Sequence, residues 1–218
     1  MTALLIDCDG TLCDTLSIWT HLAEDDLIAR GLKPEASLKE DIAPFSMAQA
    51  ADFICSRYGL GCGPEAVIAA WEDRLSHFYR AEAPAKAGAR QFLERASQLG
   101  LPAYCVTLTP LSLVGPLLDR TDLAPLLAGI FSGHDLRLGK DSPALYSYAA
   151  KAAGQAPAQC LVIEDSLFAL QVAMDAGFQG WAFIDDWHGP DQAEALKAQA
   201  QATLYRWPEA EALLTGLK

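Results

Sequence analysis

The sequence predicts an α/β fold built on a doubly wound parallel sheet, with a helical domain inserted near its start. Three short apolar runs, Ala3-Leu4-Leu5-Ile6, Ala103-Tyr104-Cys105-Val106 and Cys160-Leu161-Val162-Ile163, show no polar alternation. That is the pattern of strands buried on both faces of a parallel sheet. Helix-like segments flank these runs, as crossover connections require. The stretch from Leu16 to Ala85 breaks the rhythm, with helical patterns and no convincing strand.

Taken in order, the first run predicts a strand over Ala3–Ile6. The insert follows, with helices expected over Leu16–Arg30, Ser46–Tyr58 and Pro64–Tyr79, separated by the turn-forming runs Gly31–Pro34 and Gly59–Pro64. The alternation then resumes with helices over Ala87–Leu99, Leu111–Arg120, Ser142–Ala153 and Ser166–Ala176 around the second and third apolar runs. Weaker strands are expected at Gly129–Ser132, Gly180–Ile184 and Ala202–Tyr205, with a solvated helix around Asp191–Gln201. This divides the chain into an α/β core domain, residues 1–15 and 86–218, and a helical domain, residues 16–85.

Composition sets the outer bounds. Hydrophobic residues make up 51% of the 218, enough for a sizeable core and too many for a disordered chain. The 16 Lys+Arg against 28 Asp+Glu leave a net charge of −12, which argues against a nucleic-acid or anionic-membrane partner. A local pocket can oppose the global charge, so a small anionic substrate stays open. No apolar stretch approaches the roughly 18 residues of a spanning helix. Asp7 ends the opening apolar run too early for a signal-peptide core. The expected location is the cytoplasm, and no protein partner is implied. Six cysteines, at 8, 13, 55, 62, 105 and 160, form no Cys-x-x-Cys pair, and no histidine pair stands at metal spacing. Buried, reduced thiols are expected. His21, His77, His134 and His188 share no motif and are expected at the surface or in local hydrogen bonds.

Ligands of open parallel sheets bind outside the carboxyl ends of the strands. Asp7-Cys8-Asp9-Gly10-Thr11 follows the first run, Thr107 the second, and Glu164-Asp165 the third. Each carboxylate alone would pass for a turn or helix-capping residue. Three polar sets at three strand ends point instead to one acidic rim. Gly10 and Thr11 would expose backbone N–H groups suited to an anion. The Gly133–Asp141 stretch superficially resembles a P-loop, but Asp141 stands where Ser/Thr is required.

Asp7-Cys8-Asp9-Gly10-Thr11-Leu12 resembles the first motif of the haloacid dehalogenase superfamily, Asp-x-Asp-Gly-Thr/Val-Leu. Thr107, Lys140 and Glu164-Asp165-Ser166 are similar to its second, third and fourth motifs, in order. Phe131-Ser132-Gly133 and Ala176-Gly177 resemble the branch of phosphoglycolate phosphatases and β-phosphoglucomutases, which carries a helical cap after the first motif. The resemblance implies a Rossmann-like core with an inserted α-helical cap. It departs at Lys140, which is followed by Asp141-Ser142-Pro143-Ala144 in place of Pro-x-Pro-Asp. Asp141 or Ser142 is expected to cap the next helix, with Pro143 in its first turn. The mutases' substrate-gripping Gly-x-Ser-Arg segment also has no clear match; Ala43–Met47 stands there.

By this resemblance Asp7 is the nucleophile that forms an aspartyl phosphate. Asp9 protonates the leaving alcohol and then activates water. A dehalogenase of the superfamily lacks this second aspartate, so Asp9 favours phosphoryl transfer. Lys140 is expected to bridge nucleophile and phosphoryl oxygens. Thr107 and Gly10 are expected to bind the phosphoryl group. Two carboxylates about 5 Å apart repel by roughly 3 kcal/mol at an effective dielectric of 20. A cation is therefore required, and Mg²⁺ suits an all-oxygen site. The resemblance assigns it Asp7, the Asp9 carbonyl and Asp165, with Glu164 in support. Asp14 is expected to cap the first helix of the insert.

The expected activity is hydrolysis of a small phosphorylated metabolite. A phosphomutase and a non-catalytic binding protein of the same fold are the alternatives. The linkers near Thr15 and Ala85 are expected to act as hinges. Substitutions in Pro44–Arg57 are expected to change substrate ranking, with Arg57 a candidate for an anionic leaving group.

Overall fold

The computed structural model describes residues 2–42 and 45–214. The chain divides into two compact units, Met1–Asp14 with Ala83–Lys218, and Thr15–Glu82.

The first unit is built on a six-stranded, all-parallel sheet: β1 (Ala3–Ile6), β2 (Ala103–Thr107), β3 (Gly129–Ser132), β4 (Cys160–Glu164), β5 (Gln179–Phe183) and β6 (Ala202–Leu204), in the order β3-β2-β1-β4-β5-β6. β1, β2 and β4 are the three apolar runs, and every residue of β1 and β4 is buried. Burial on both faces is why their sequence does not alternate. Leu5 is paired with Tyr104 on one side and Val162 on the other. The chain runs outward from β1 to β2 and β3, then returns to place β4 on the other flank of β1. That reversal is the switch point where open sheets form a crevice, and it brings the ends of β1 and β4 side by side.

Helices α5 (Ala89–Gln98), α6 (Leu111–Arg120), α8 (Ala144–Ala152), α9 (Leu167–Asp175) and α10 (Pro190–Gln199) connect the strands. In α5 the buried residues Ala89, Phe92, Leu93 and Ala96 fall at i, i+3, i+4 and i+7, one face of a helix. α8 buries Leu145, Tyr146, Ala149 and Ala150 against Leu5 and Val162. Besides the short 3-10 turns Ala124–Leu126 and Pro157–Gln159, two helices of the described residues in this unit lie outside the sequence-based expectation. The one-turn helix α7 (Gly133–Leu136) is capped by Ser132, whose hydroxyl accepts from Asp135 N–H. Helix α11 (Trp207–Leu214) brings the fully buried Trp207 against Phe92 and Phe183, and the indole N–H donates to the Thr11 carbonyl at 3.0 Å. That bond fixes the loop after β1 from below. The expected tail helix is α10, which stops at Gln199.

The second unit contains α1 (Leu16–Ala29), α2 (Leu38–Ile42), α3 (Met47–Tyr58) and α4 (Pro64–His77), followed by a π-helical turn over Phe78–Glu82. Its core is Ile18, Leu22 and Leu27 of α1, Ala51 and Ile54 of α3, and Val67, Trp71 and Leu75 of α4. Ser46 and Gln49 form a reciprocal capping box at the start of α3, and Gly59 ends that helix in the left-handed conformation at φ 60°. Pro64 opens α4, where its missing N–H costs nothing. The short helix α2 is too brief to carry a periodic signal in sequence. Ala43 and Pro44, the start of the Pro44–Arg57 segment, lie outside the described residues.

Several local expectations are corrected. Asp14 does not cap α1; Thr15 holds the N-cap position, its side chain making no capping bond to the helix, and Asp14 instead faces Lys86 at 3.6 Å. Neither Asp141 nor Ser142 caps α8: Pro143 itself is the N-cap, and the helix begins one residue later. All six cysteines are free, but Cys55 and Cys62 are only half-buried. Arg57 is ion-paired with Glu35 at 2.8 Å. No helix of the described residues is long and apolar enough to cross a membrane.

Candidate active site

The candidate residues meet on the carboxyl rim of the sheet, around the β1/β4 crevice. Asp7 directly follows β1, and its N–H donates to the Ile163 carbonyl at 3.0 Å, in register with β4. The chain then turns sharply. Gly10 sits at φ 85°, a conformation that costs a side-chain-bearing residue free energy. The expectation that Gly10 and Thr11 present their N–H groups to an anion is corrected: both residues are buried, Gly10 N–H donates to the Cys13 carbonyl at 2.9 Å and Thr11 N–H to the Cys8 carbonyl at 3.3 Å. Cys13 N–H in turn donates to the Cys8 carbonyl at 2.8 Å. This small knot re-aims the chain between Asp7 and Asp9. Cys8 is fully buried, and its contacts with Cys105 and Cys13 hold its thiol well above the usual range. It is a protonated packing residue rather than a nucleophile.

Lys140 occupies the centre of the site. Its ammonium lies 2.5 Å from Asp7 Oδ1 and 2.5 Å from Glu164 Oε1, and the side chain is only 7% exposed. Burial works against that charge, but Asp7 and Glu164 outweigh it and hold the ammonium well above the normal lysine range. Glu164 is saturated: Oε1 also accepts from the Tyr146 hydroxyl at 2.9 Å, and Oε2 accepts from Ser166 N–H at 2.9 Å. Burial raises the Glu164 pKa, yet Lys140 and these bonds bring it below the ordinary carboxylate value. Glu164 is thus an anchor for Lys140.

Asp7 and Asp165 show the opposite balance. Burial, with the neighbouring Glu164 and Asp9 charges, lifts Asp7 to about 8 despite Lys140. Burial, Glu164 and Asp7 together push Asp165 well above its usual value. One oxygen each from Asp7, Glu164 and Asp165 lie within 4.8 Å of one another. Three carboxylates face one ammonium, so the group has room for a further positive charge. A hard, oxygen-liganded divalent cation fits that donor set.

Asp9 is half-buried, and its Oδ2 accepts from the hydroxyls of Thr107 at 3.2 Å and Thr109 at 2.6 Å. Thr109 N–H donates to Thr107 Oγ1 at 3.0 Å. The rim therefore gathers Asp7, Asp9, Gly10, Thr107, Lys140, Glu164 and Asp165 from four separate stretches of chain. The Asp9 carboxylate stands outside the metal-capable acidic group, and in this structure Thr107 donates to Asp9.

Three contributors escape sequence reasoning. Thr109 repeats Thr107 at i+2 after the strand, a spacing that could have flagged it. Tyr146 reads as an ordinary core aromatic on α8. His188 Nε2 lies 2.9 Å from the Asp165 carbonyl, a contact to main chain that leaves no motif.

Comparison with known proteins follows the same lines. The chain is 25% identical over 189 residues to the 6-phosphogluconate phosphatase of Escherichia coli (strain K12), covering 85% of this chain and 84% of that one. It is 28% identical over 185 residues to the phosphoglycolate phosphatase of Pseudomonas syringae pv. tomato, covering 80% of this chain and 66% of that one. The fold matches that of a hydrolase from Deinococcus radiodurans R1, solved with bound phosphate and sodium. The TM-score is 0.78 at 24% identity, over 100% of this chain and 96% of that one. Residues 1–177 match the family model for haloacid dehalogenase-like hydrolases, and it is to this family that the chain belongs.

Proposed function

We propose that this protein is a Mg²⁺-dependent phosphatase that hydrolyses a small phosphorylated metabolite through an aspartyl phosphate on Asp7. The observation that carries this reading is the buried Asp7 carboxylate, paired with Lys140 at 2.5 Å and grouped with Asp165 on the rim of the crevice. The phosphatase relatives point the same way.

Asp7 offers a carboxylate oxygen as nucleophile, with its other contacts fixing its direction. Attack on phosphorus splits hydrolysis into two steps, formation and breakdown of the acyl phosphate. Lys140, held by Glu164 and Tyr146, presents a fixed positive charge where phosphoryl oxygens gather. Because its anchors are already in place, little reorganisation is needed when charge develops. Asp9 donates a proton to the departing alkoxide and takes one from the attacking water in the second step. To do so it exchanges its bonds with Thr107 and Thr109 for one to the substrate. The freed hydroxyl of Thr107 then turns to the phosphoryl group. Asp7, the Asp9 carbonyl and Asp165 would hold the Mg²⁺. When bound, it supplies neutralisation of the surplus carboxylate charge and polarisation of the phosphoryl oxygens. The rim residues address only the phosphoryl group that all such esters share, so leaving-group selectivity falls to the helical unit Thr15–Glu82.

The test is a phosphate-release screen over sugar phosphates, 6-phosphogluconate, phosphoglycolate and nucleoside monophosphates, with Mg²⁺ and with chelator. Turnover of at least one ester that vanishes on chelation is expected. Inactivity across the panel, or full activity after exhaustive chelation, would contradict the reading.

A further inference from the structure

The loop after β5 carries side chains outside the four motifs that converge on Asp165. The His188 ring is nearly buried, its side chain 4% exposed. Its Nε2 lies 2.9 Å from the Asp165 carbonyl oxygen. A carbonyl only accepts, so Nε2 carries the hydrogen. Nδ1 lies 3.1 Å from both the backbone nitrogen and Oδ1 of Asp185. Nδ1 can accept from the first or donate to the second, and Nε2–H stays aimed at Asp165 in either case. Asp185 is fixed in turn. Its Oδ1 accepts from Trp187 N–H at 3.0 Å and its Oδ2 from Lys86 Nζ at 2.7 Å. Lys86 N–H donates to the Leu12 carbonyl at 2.9 Å, which ties the relay to the loop after β1.

The carbonyl that His188 engages belongs to the peptide unit joining Asp165 to Ser166. The N–H of that same unit is the one that donates to Glu164 Oε2 at 2.9 Å. Both polar ends of one rigid plane are therefore held, from two directions, and the plane cannot turn without breaking a hydrogen bond at each end. The Cα of Asp165 is attached to that plane, so the aim of its carboxylate follows. Outer partners of this kind set the orientation of metal-binding side chains.

We propose that His188, backed by Asp185 and Lys86, is a positioning residue that holds the Asp165 carboxylate ready for a divalent cation. This rests on the reading of Asp7 and Asp165 as the cation site. Mn²⁺ titrated into the full-length protein without substrate, with free Mn²⁺ read by electron paramagnetic resonance, tests it. His188→Ala should weaken Mn²⁺ binding by about tenfold. His188→Gln, whose amide can donate from nearly the same place, should stay within about threefold of wild type. Lys86→Met, at the far end of the relay, should fall between the two. Equal affinity in wild type and His188→Ala overturns the inference alone, as do equal losses in His188→Ala and His188→Gln. Should His188→Ala not fold, unchanged affinity in Lys86→Met overturns it. Absence of saturable Mn²⁺ binding in wild type overturns the cation site, and the inference with it.

Discussion

Lys140→Met removes one charge and little volume from the centre of the rim, and its consequences can be worked from the contacts. The ammonium pairs with two buried carboxylates at 2.5 Å each, and all three side chains are 7% exposed or less. Breaking a buried pair by deleting one partner costs about 3–5 kcal/mol, because the remaining charge stays buried and unpaired. For a chain of this length about 1 kcal/mol corresponds to roughly 2–4 °C of melting temperature. A drop on the order of 10 °C is therefore expected by circular dichroism near neutral pH in chelator. The loss should also depend on pH. Asp7, already raised to about 8 with Lys140 in place, rises further without it, and Glu164, held below its ordinary value by Lys140, is expected to rise above it. Groups raised on folding contribute stability at low pH that is lost as pH increases. The deficit relative to wild type should thus be larger near pH 8 than near pH 5. Lys140→Arg, which keeps the charge, should recover part of the stability. A change of less than about 2 °C at every pH would refute the reasoning, since the ammonium would then not be compensating the carboxylates.

Three further outcomes follow from the same contacts. Asp9→Asn should slow transfer most from esters with poor leaving groups and least from aryl phosphates, seen as a steeper dependence of kcat/KM on leaving-group pKa. Asp185, held at about 2 in the folded protein through its bonds to His188 and Lys86 in spite of burial, should contribute about 2 kcal/mol at neutral pH. A depressed carboxylate loses that contribution as pH falls from about 4 through about 2, so Asp185→Asn should lower stability at neutral pH and narrow the gap to wild type in acid, measured by urea unfolding. Trp207→Ala empties a fully buried site between Phe92 and Phe183 and releases the Thr11 carbonyl; a loss of roughly 3–5 kcal/mol in the same assay is expected.

The parts of the fold legible in sequence are those where one physical demand acts on consecutive residues. β1, β2 and β4 are flanked by strands on both sides, so each is a continuous apolar run, and the functional carboxylates stand immediately after them. The edge strand β6 and the one-turn helix α7 carry weaker patterns because less of their surface is enclosed. α11 was invisible because its anchor, Trp207, gains meaning only from Phe92, Phe183 and Thr11, all distant in the chain. The same holds within the site. Asp7, Lys140 and Asp165 could be picked out as residues of a shared pattern. The roles of Tyr146 on Glu164 and His188 on Asp165 depend on tertiary contacts to an anchor and to a backbone carbonyl. Asp14 shows the reverse error: a carboxylate before a helix invites a capping assignment, but Lys86 lies within reach and takes it.

The central claim is that Asp7 carries the phosphoryl group during turnover. Wild-type protein mixed with a cleavable ester and Mg²⁺, quenched in acid within the first turnovers and digested for mass spectrometry, should yield one phosphorylated peptide, with the modification on Asp7. Asp7→Asn should yield none and release no phosphate. Turnover that persists in Asp7→Asn, or a phosphoryl group found on another residue, would contradict it.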